Sequence, residues 1–214
     1  MKIILFGPPA SGRGKIGREV AKSLGLRLIS SGYTLMKKAA SDPTLSDYMR
    51  KGEVFPDKFV NEVMSKEIPM DGGFVLVGYP YSPEQARFFD ASNKIDAIVE
   101  FQMGEDVIMK RVAYRVVCSD CFVSFNMSTD KPKTHGVCDL CGGVLVKRED
   151  DTPENLKMRM YYYEKMSKVM NDHYRTAGVP IVVYRVDPSA TPSENASMVL
   201  AELRRVGITG EKSS

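Results

Sequence analysis

The segment "GPPASGRGK", residues 7–15, constrains the fold most, because it stands between an apolar run and a helical pattern. "KIILF" precedes it with the character of a buried strand, and "IGREVAKSLG" follows it with helical spacing. A strand, a glycine loop and a helix in that order form a common cradle for phosphate, with the pattern G-x-x-x-x-G-K-[ST]. Gly7 and Gly12 keep this frame, but Arg13 stands where the pattern has lysine. We therefore expect a phosphate loop with altered chemistry.

Apolar runs and helical patterns alternate along the chain, which predicts an α/β fold around a parallel sheet. The predicted strands are Ile3–Phe6, Leu26–Ile29, Phe74–Val77, Ala97–Phe101 and Ile181–Tyr184. The predicted helices are Lys15–Ser23, Pro56–Lys66, Pro83–Asp90, Glu105–Val117, Glu154–Arg175 and Pro192–Arg205. Ligands of such sheets bind beyond the carboxyl ends of the strands, so the loops at Gly7 and Gly78 are expected at that edge.

Composition argues against several classes of function. With 43% hydrophobic and 27% charged residues among 214, the chain is an ordinary globular sequence. Its net charge of +3 and the lack of a basic stripe with interleaved aromatic residues give no reason to expect a nucleic-acid partner. No apolar run approaches membrane-spanning length, so we expect no membrane partner and predict a cytoplasmic protein.

Residues 118–147 interrupt the alternation and contain all four cysteines. Two C-x-x-C pairs, Cys118/Cys121 and Cys138/Cys141, are separated by 16 residues. In a reducing compartment this spacing indicates a closed tetrahedral zinc site rather than disulfides. The alternative is four unligated cysteines. A zinc ion here would stabilise a small β lobe that cannot build a sufficient core of its own.

The order of these motifs resembles that of bacterial adenylate kinases with a zinc-bearing lid. The segments that carry the resemblance are the phosphate loop, "RLISSGYTL", "GEVFPD", "GFVLVGYP", the four-cysteine lobe and "KREDDTPENLKMR". The resemblance implies a P-loop nucleoside monophosphate kinase fold, with a five-stranded parallel sheet flanked by helices and an inserted zinc-binding β lid. It further implies a core of residues 1–115 and 150–214, a monophosphate-binding lobe at 30–60 and a lid at 116–149. Proteins of this family transfer a phosphoryl group from ATP to AMP with magnesium.

The phosphate loop only partly matches the family's pattern, G-x-P-G-x-G-K-G-T. The resemblance implies that nucleotide phosphates contact the positions that match, which are Gly7, Pro9, Gly12 and Gly14. Ala10 replaces a glycine, Arg13 replaces the lysine, and Lys15 replaces a threonine whose hydroxyl could face the magnesium shell. Arginine is longer and forked, so it is not a conservative substitute for lysine at a tight site.

The acceptor side departs further from the family. Tyr33 stands at an aspartate position, and Met36 and Tyr81 stand at the positions of two arginines that grip the AMP phosphate. Val77 replaces an aspartate that organises magnesium and its waters. The matches that remain, Gly78 and Gln85, correspond to base-binding positions.

The lid side is better preserved. Arg111 and Arg115 match positions that contact the ATP phosphates, and Arg148 and Arg159 match arginines that clamp the transferred group. The adjacent carboxylates Asp150 and Asp151 match the acidic pair that holds the lid arginines. Without the resemblance, a solvated helix face with local ion pairs is the favoured interpretation of these charges.

Two hypotheses for function follow. The first is a non-catalytic relative that binds nucleotide weakly on the ATP side and has a structural or regulatory role, with a possible protein partner. The second is an active, divergent monophosphate kinase that uses magnesium with ATP, in which Arg13 or Lys15 serves the γ-phosphate together with Arg111, Arg148 and Arg159. The loss of cations at positions 36 and 81 favours the first hypothesis, because phosphoryl transfer depends on positioning and charge.

Overall fold

The computed structural model describes residues 1–209, and the last five residues of the predicted core lie outside the described part. Its central sheet has five parallel strands in the order β2-β3-β1-β4-β8. These strands are β1 (Lys2–Phe6), β2 (Arg27–Ser30), β3 (Phe74–Val77), β4 (Ala97–Gln102) and β8 (Ile181–Arg185). The five predicted strands therefore agree with the observed ones to within about one residue, and the predicted α/β class is confirmed.

Helices cover both faces of the sheet. They are α1 (Arg13–Leu24), α2 (Ser31–Ala39), α3 (Pro43–Arg50), α4 (Asp57–Ser65), α5 (Pro83–Asp90), α6 (Glu105–Ala113), α7 (Pro153–Thr176) and α8 (Pro192–Arg205). One face packs α1 and α8 against residues such as Leu5, Val99 and Phe101. The other packs α4, α5 and α7 against residues such as Phe74 and Leu76. A sheet buried on both faces is the expected reason for its continuous apolar strands.

Four helices begin with the same local signal, a polar N-cap followed by proline. The N-cap side chains that accept a backbone N–H bond are Asp42, Ser82, Thr152 and Thr191. Proline at the first helical position has no N–H to leave unsatisfied, and its fixed φ suits the helix. These starts lie close to the predicted ones for α5, α7 and α8.

A second, three-stranded sheet lies between α6 and α7. It is antiparallel, in the order β6-β5-β7, with β5 (Arg115–Cys118), β6 (Ser124–Asn126) and β7 (Leu145–Val146). The prediction of a helix over Glu105–Val117 is wrong in its last turn, because α6 ends at Ala113 and the β-branched Val116 and Val117 pair with Phe125 and Ser124 instead. We call this sheet and its loops, residues 115–149, the lid.

No helix among residues 1–209 is long and apolar enough to cross a membrane.

Candidate functional site

The phosphate loop has the backbone geometry of an anion cradle. A Cβ at Gly7 would lie 2.8 Å from the Cβ of Phe101, so only glycine fits this close approach to β4. Gly12 caps α1 in the left-handed region, with φ of 87°. Ala10 also has a positive φ, 57°, which is unfavourable for a residue with a Cβ. The loop thus turns sharply onto the N-terminus of α1, where free N–H groups and the helix dipole favour an anion.

Ser11 adds an unpaired donor to this loop. Its side chain is fully buried, and its hydroxyl has no hydrogen-bond partner among the described residues. Buried hydroxyls are usually paired in native proteins, so an orphan inside a phosphate loop is consistent with a ligand oxygen as its partner.

Arg13 points into the protein rather than into open solvent. Its guanidinium donates to the backbone carbonyl of Gly7 and lies beside the phenol rings of Tyr81 and Tyr163. Burial lowers the pKa of Arg13, and the two tyrosines partly oppose this shift. Phe6 completes an aromatic wall, with its ring centroid 5.6 Å from those of both tyrosines. Arg13 is therefore engaged with the loop's own backbone in this state.

Lys15 reaches across to the lid. Its ammonium forms an ion pair with the carboxylate of Asp130 and lies 4.0 Å from the ring centroid of Phe125. Both partners belong to the lid, and Tyr33 of α2 also meets the lid through an edge contact with Phe122 at 6.0 Å. The lid therefore lies over the phosphate loop and is held there by a charge pair and aromatic contacts.

The four arginines of the lid side line one wall of the cleft. Arg115 donates to Asp151, with 2.6 Å from Nε to Oδ2, and Arg148 donates from Nε to Asp150 over 2.8 Å. Arg159 of α7 also donates to Asp150. The fourth, Arg111 on α6, extends its guanidinium alongside Gly12 of the phosphate loop.

Electrostatics keep this cluster fully charged. Burial alone would raise the pKa of Asp150, but hydrogen bonds from Arg148 and the charges of Arg148 and Arg159 outweigh it, so the pKa lies well below its usual range. Burial alone would lower the pKa of Arg148, and Asp150 reverses that effect. Burial lowers the pKa of Arg111, and the charge of Asp130 opposes the shift. The two aspartates orient the arginines and leave their remaining N–H groups for a ligand.

The acceptor wall of the cleft carries apolar and aromatic side chains. Tyr33, Met36, Val77 and Tyr81 all line it, and so does the exposed Val54. Burial raises the pKa of Tyr81, which keeps its phenol neutral. The substituted positions therefore meet in one region, where no arginine or lysine of α2 or of the loop after β3 lines the cleft.

Gln85 is not available as a free amide in this structure. It is buried, its Oε1 accepts from the backbone N–H of Tyr81 over 2.7 Å, and its Nε2 donates to Asp57 over 2.8 Å. It also lies outside the lining of the cleft, whereas Gly78, Pro9 and Gly14 lie within it. These two bonds use one of the two donors and one of the two acceptor sites of the amide, and together they fix its orientation.

The cleft itself has a volume of about 640 Å³ and runs from the phosphate loop to the lid and α2. This is within the range of small-molecule sites. Sequence reasoning did not find the lid partners of Lys15, since nothing in "STDKPKTHG" marks Asp130 as a cleft residue. It also did not use Ser11, whose role emerges only from its burial.

The four cysteines form one cluster within the lid. Their Sγ atoms all lie within 4.8 Å of one another, with 3.4 Å between Cys118 and Cys141 and 3.5 Å between Cys121 and Cys138. A tetrahedral zinc with bonds of about 2.3 Å requires S···S edges of about 3.8 Å. The tetrad could therefore hold a metal such as zinc.

Backbone geometry supports thiolate ligands in both pairs. N–H groups of Asp120 and Leu140, each two residues after the first cysteine of its pair, point at the sulfurs of Cys118 and Cys138 over 3.4 Å. Each pair is followed by a residue with positive φ. In the second pair this is Gly142, as glycine after the pair suggests, but in the first it is Phe122, with φ of 53°. The two turns are thus built alike from different residues.

A parallel α/β core, a phosphate loop that opens a helix, and an arginine-lined cleft beneath an inserted β lid define a nucleotide-kinase type of P-loop protein. The family model for adenylate kinase matches residues 5–179. Curated relatives named adenylate kinase include one from Halobacterium salinarum, 34% identical over 90% of this chain and 91% of its own. The relative from Clostridium tetani is 32% identical over 95% of this chain and 100% of its own length. The relative from Thermococcus kodakarensis is 32% identical over 91% of this chain and 90% of its own length. The chain belongs to the adenylate kinase family.

Proposed function

We propose that this protein binds a nucleoside triphosphate on the donor side of the cleft, that its transfer of phosphoryl to AMP is weak or absent, and that its role is structural or regulatory. The carrying observation is the uneven distribution of charge in the cleft. Arg111, Arg115, Arg148 and Arg159 line the donor wall, whereas Met36, Val77 and Tyr81 line the acceptor wall. One wall can neutralise a polyphosphate, whereas α2 and the loop after β3 contribute no cation to the other wall.

The cost for catalysis is large. Phosphoryl transfer has no covalent step for the protein to perform, so its rate comes from positioning and from charge on the migrating group. Loss of one positioned donor typically lowers kcat by about 10²–10³. Here two acceptor-side cations and the loop lysine are changed. Even without additivity, AMP turnover should fall far below ordinary kinase rates.

The donor side has an additional sign of ligand binding. The hydroxyl of Ser11, unpaired among the described residues, lies in the phosphate loop, and Asp150 and Asp151 already orient three of the four arginines of the lid side, Arg115, Arg148 and Arg159. Preorganised donors lower the cost of binding. We also propose that the cysteine tetrad binds one structural zinc ion, which has no open position for catalysis because all four ligands are protein thiolates.

Two measurements test this proposal. Calorimetry with ATP should detect binding, and Arg111→Ala should weaken it about tenfold or more, since a hydrogen bond between charged groups contributes about 1.5–3 kcal/mol. Arg205→Ala is the matched control, because Arg205 lies exposed at the end of α8. No detectable ATP binding by the intact protein would refute the donor-side proposal.

The second measurement is ADP formation from ATP with each nucleoside monophosphate in the presence of magnesium. We expect at most slow turnover, and a partial gain from the combined reversions R13K, M36R, V77D and Y81R. The competing function is an active, divergent kinase, which the retained donor-side arginines favour. Turnover with any monophosphate at about 10 per second or more, the ordinary range of enzymes, would establish that alternative.

A further inference from the structure

At two positions of the cleft, 15 and 77, the side chains lack the oxygen atoms that the family's pattern provides near magnesium. Magnesium requires near-octahedral oxygen coordination and is usually held by one or two carboxylates together with substrate phosphates. At the end of β3, where the family's pattern has an aspartate, the side chain is the hydrocarbon of Val77. Lys15, at the position of the family's hydroxyl, offers no acceptor. The residues present at these two positions do not fit the metal.

The carboxylates that do line the cleft do not replace the oxygen ligands missing at positions 15 and 77. Within the lining formed by residues 1–209, the acidic side chains are Glu53 and Asp130. Glu53 is exposed, beyond the end of α3, on the acceptor side. Asp130 is paired with Lys15 and is close enough to Arg111 to influence its pKa. A divalent cation would have to compete with two fixed positive charges for Asp130.

Positive charge is in excess in the same lining. Its basic side chains are Arg13, Lys15, Arg18, Arg111, Arg115, Arg148 and Arg159, against the two carboxylates. Most of the half-buried guanidiniums have partners on their own side of the cleft, in Asp150, Asp151 or the Gly7 carbonyl. Lys15 differs, because its partner Asp130 belongs to the lid and is 115 residues away in sequence. An entering phosphate could displace the Asp130 carboxylate and bind the Lys15 ammonium in its place.

We propose that the cleft selects the metal-free form of a nucleoside polyphosphate, with the ammonium of Lys15 in the place of the divalent cation. This inference rests on the proposed nucleotide binding of the donor side and specifies its ligand. Lys15 lies in the first turn of α1, next to the loop's N–H groups, so its charge adds to theirs. When the polyphosphate enters, the ammonium exchanges the Asp130 carboxylate for phosphate oxygens. The free nucleotide carries more negative charge than its magnesium complex, and the excess of basic side chains favours it.

Calorimetric titration of the zinc-loaded protein with ATP tests this, in metal-depleted buffer without chelator and again with excess magnesium. A chelator is avoided because it would also remove zinc from the cysteine tetrad. We expect ATP to bind at least as tightly without magnesium as with it. Lys15→Thr should weaken the metal-free binding about tenfold, as expected for one charge-assisted hydrogen bond. Lys22→Thr, which removes an exposed charge from the same helix, should leave it unchanged.

A second variant keeps the test independent of any damage by Lys15→Thr. Asp130→Asn removes the carboxylate that competes for Lys15, so metal-free ATP should bind equally well or more tightly. If Asp130 instead served as a magnesium ligand, this variant would lose a magnesium-dependent gain in affinity, and the inference would be wrong. Binding that requires magnesium in the unmodified protein would also overturn it while leaving the proposed function intact. If ATP binds neither with magnesium nor without it, the proposed function itself is refuted.

Discussion

Asp150→Asn should destabilise the protein by about 3 kcal/mol, because it breaks a buried charge cluster. The carboxylate, 8% exposed, accepts two bonds from Arg148 and one from Arg159. An asparagine keeps one acceptor oxygen and turns an N–H group toward a guanidinium, so at least one arginine loses its partner. Breaking a buried pair typically costs about 3–5 kcal/mol. The lower end applies here, since the two arginines are 16% and 23% exposed and can regain some water.

The destabilisation should depend on pH with a definite sign. The folded-state pKa of Asp150 is depressed, so its contribution to stability is present above the unfolded-state pKa of about 3.9 and disappears as pH falls through the folded value. Below the unfolded-state pKa, the unfolded carboxyl takes up a proton that the folded one still excludes, which favours unfolding of the native protein; below the folded value both are neutral, like asparagine. The difference in the free energy of unfolding between the native protein and Asp150→Asn should therefore shrink below about pH 4.

Urea denaturation from neutral pH downward measures this difference. Asp172→Asn on α7 is the control, because Asp172 is exposed and its ion pair within residues 1–209 is with Arg175, at 3.9 Å. Such a surface pair contributes little. Effects of pH on the cysteine cluster act on both proteins alike and cancel in the difference. Equal destabilisation by the two substitutions at neutral pH would show that the Asp150 cluster is not the buried network described here.

Three further outcomes are expected. Ala10→Gly should stabilise the protein by about 1 kcal/mol in urea denaturation, because it relieves a Cβ at positive φ, and no gain would mean that the loop is not strained there. Metal analysis should find about one zinc ion per chain, and Cys138→Ser should lose it and lower the Tm; an equally stable metal-free protein would contradict the zinc site. Glu100→Gln should lower the free energy of unfolding by about 2 kcal/mol. The buried carboxylate accepts hydrogen bonds from Ser167 over 2.6 Å and from Asn171 over 2.9 Å, and the single oxygen of an amide cannot replace both of its oxygens. An unchanged free energy of unfolding in urea denaturation would contradict this role of Glu100.

Much of the fold could be predicted because local sequence patterns indicate its strands and the starts of its helices. Continuous β-branched runs identify strands that are buried on both faces, and proline after a polar residue identifies the starts of α5, α7 and α8. The helices α2 and α3 were absent from the predicted elements, and neither buries a clear apolar face. The buried residues of α2 are Ser31, Thr34 and Ala39, and α3 buries none, so the formation of both depends on their place in the fold. The last turn of the predicted helix at 105–117 failed for a related reason, because Val116 finds a strand partner that periodicity does not reveal.

The candidate site divides in the same way. The positions of the phosphate loop and the two cysteine pairs follow from spacing along the chain, because the turn and the knuckles are local structures. The direction in which each charged side chain points cannot be predicted from this spacing. Arg13 and Lys15 are two residues apart, yet one turns back to the Gly7 carbonyl and the other reaches Asp130 in the lid.

The amino-acid sequence thus determined the class of fold, the family, and which cations and carboxylates are present or missing. Only the tertiary structure decided which charge meets which, that Gln85 is hydrogen-bonded to Asp57 and the Tyr81 backbone, and that the substituted acceptor residues share one wall. The physical reason is the difference in sequence separation over which these interactions act. Backbone propensity acts over a few neighbouring residues, whereas ion pairs and hydrogen bonds join whatever groups the folded chain brings within a few ångströms.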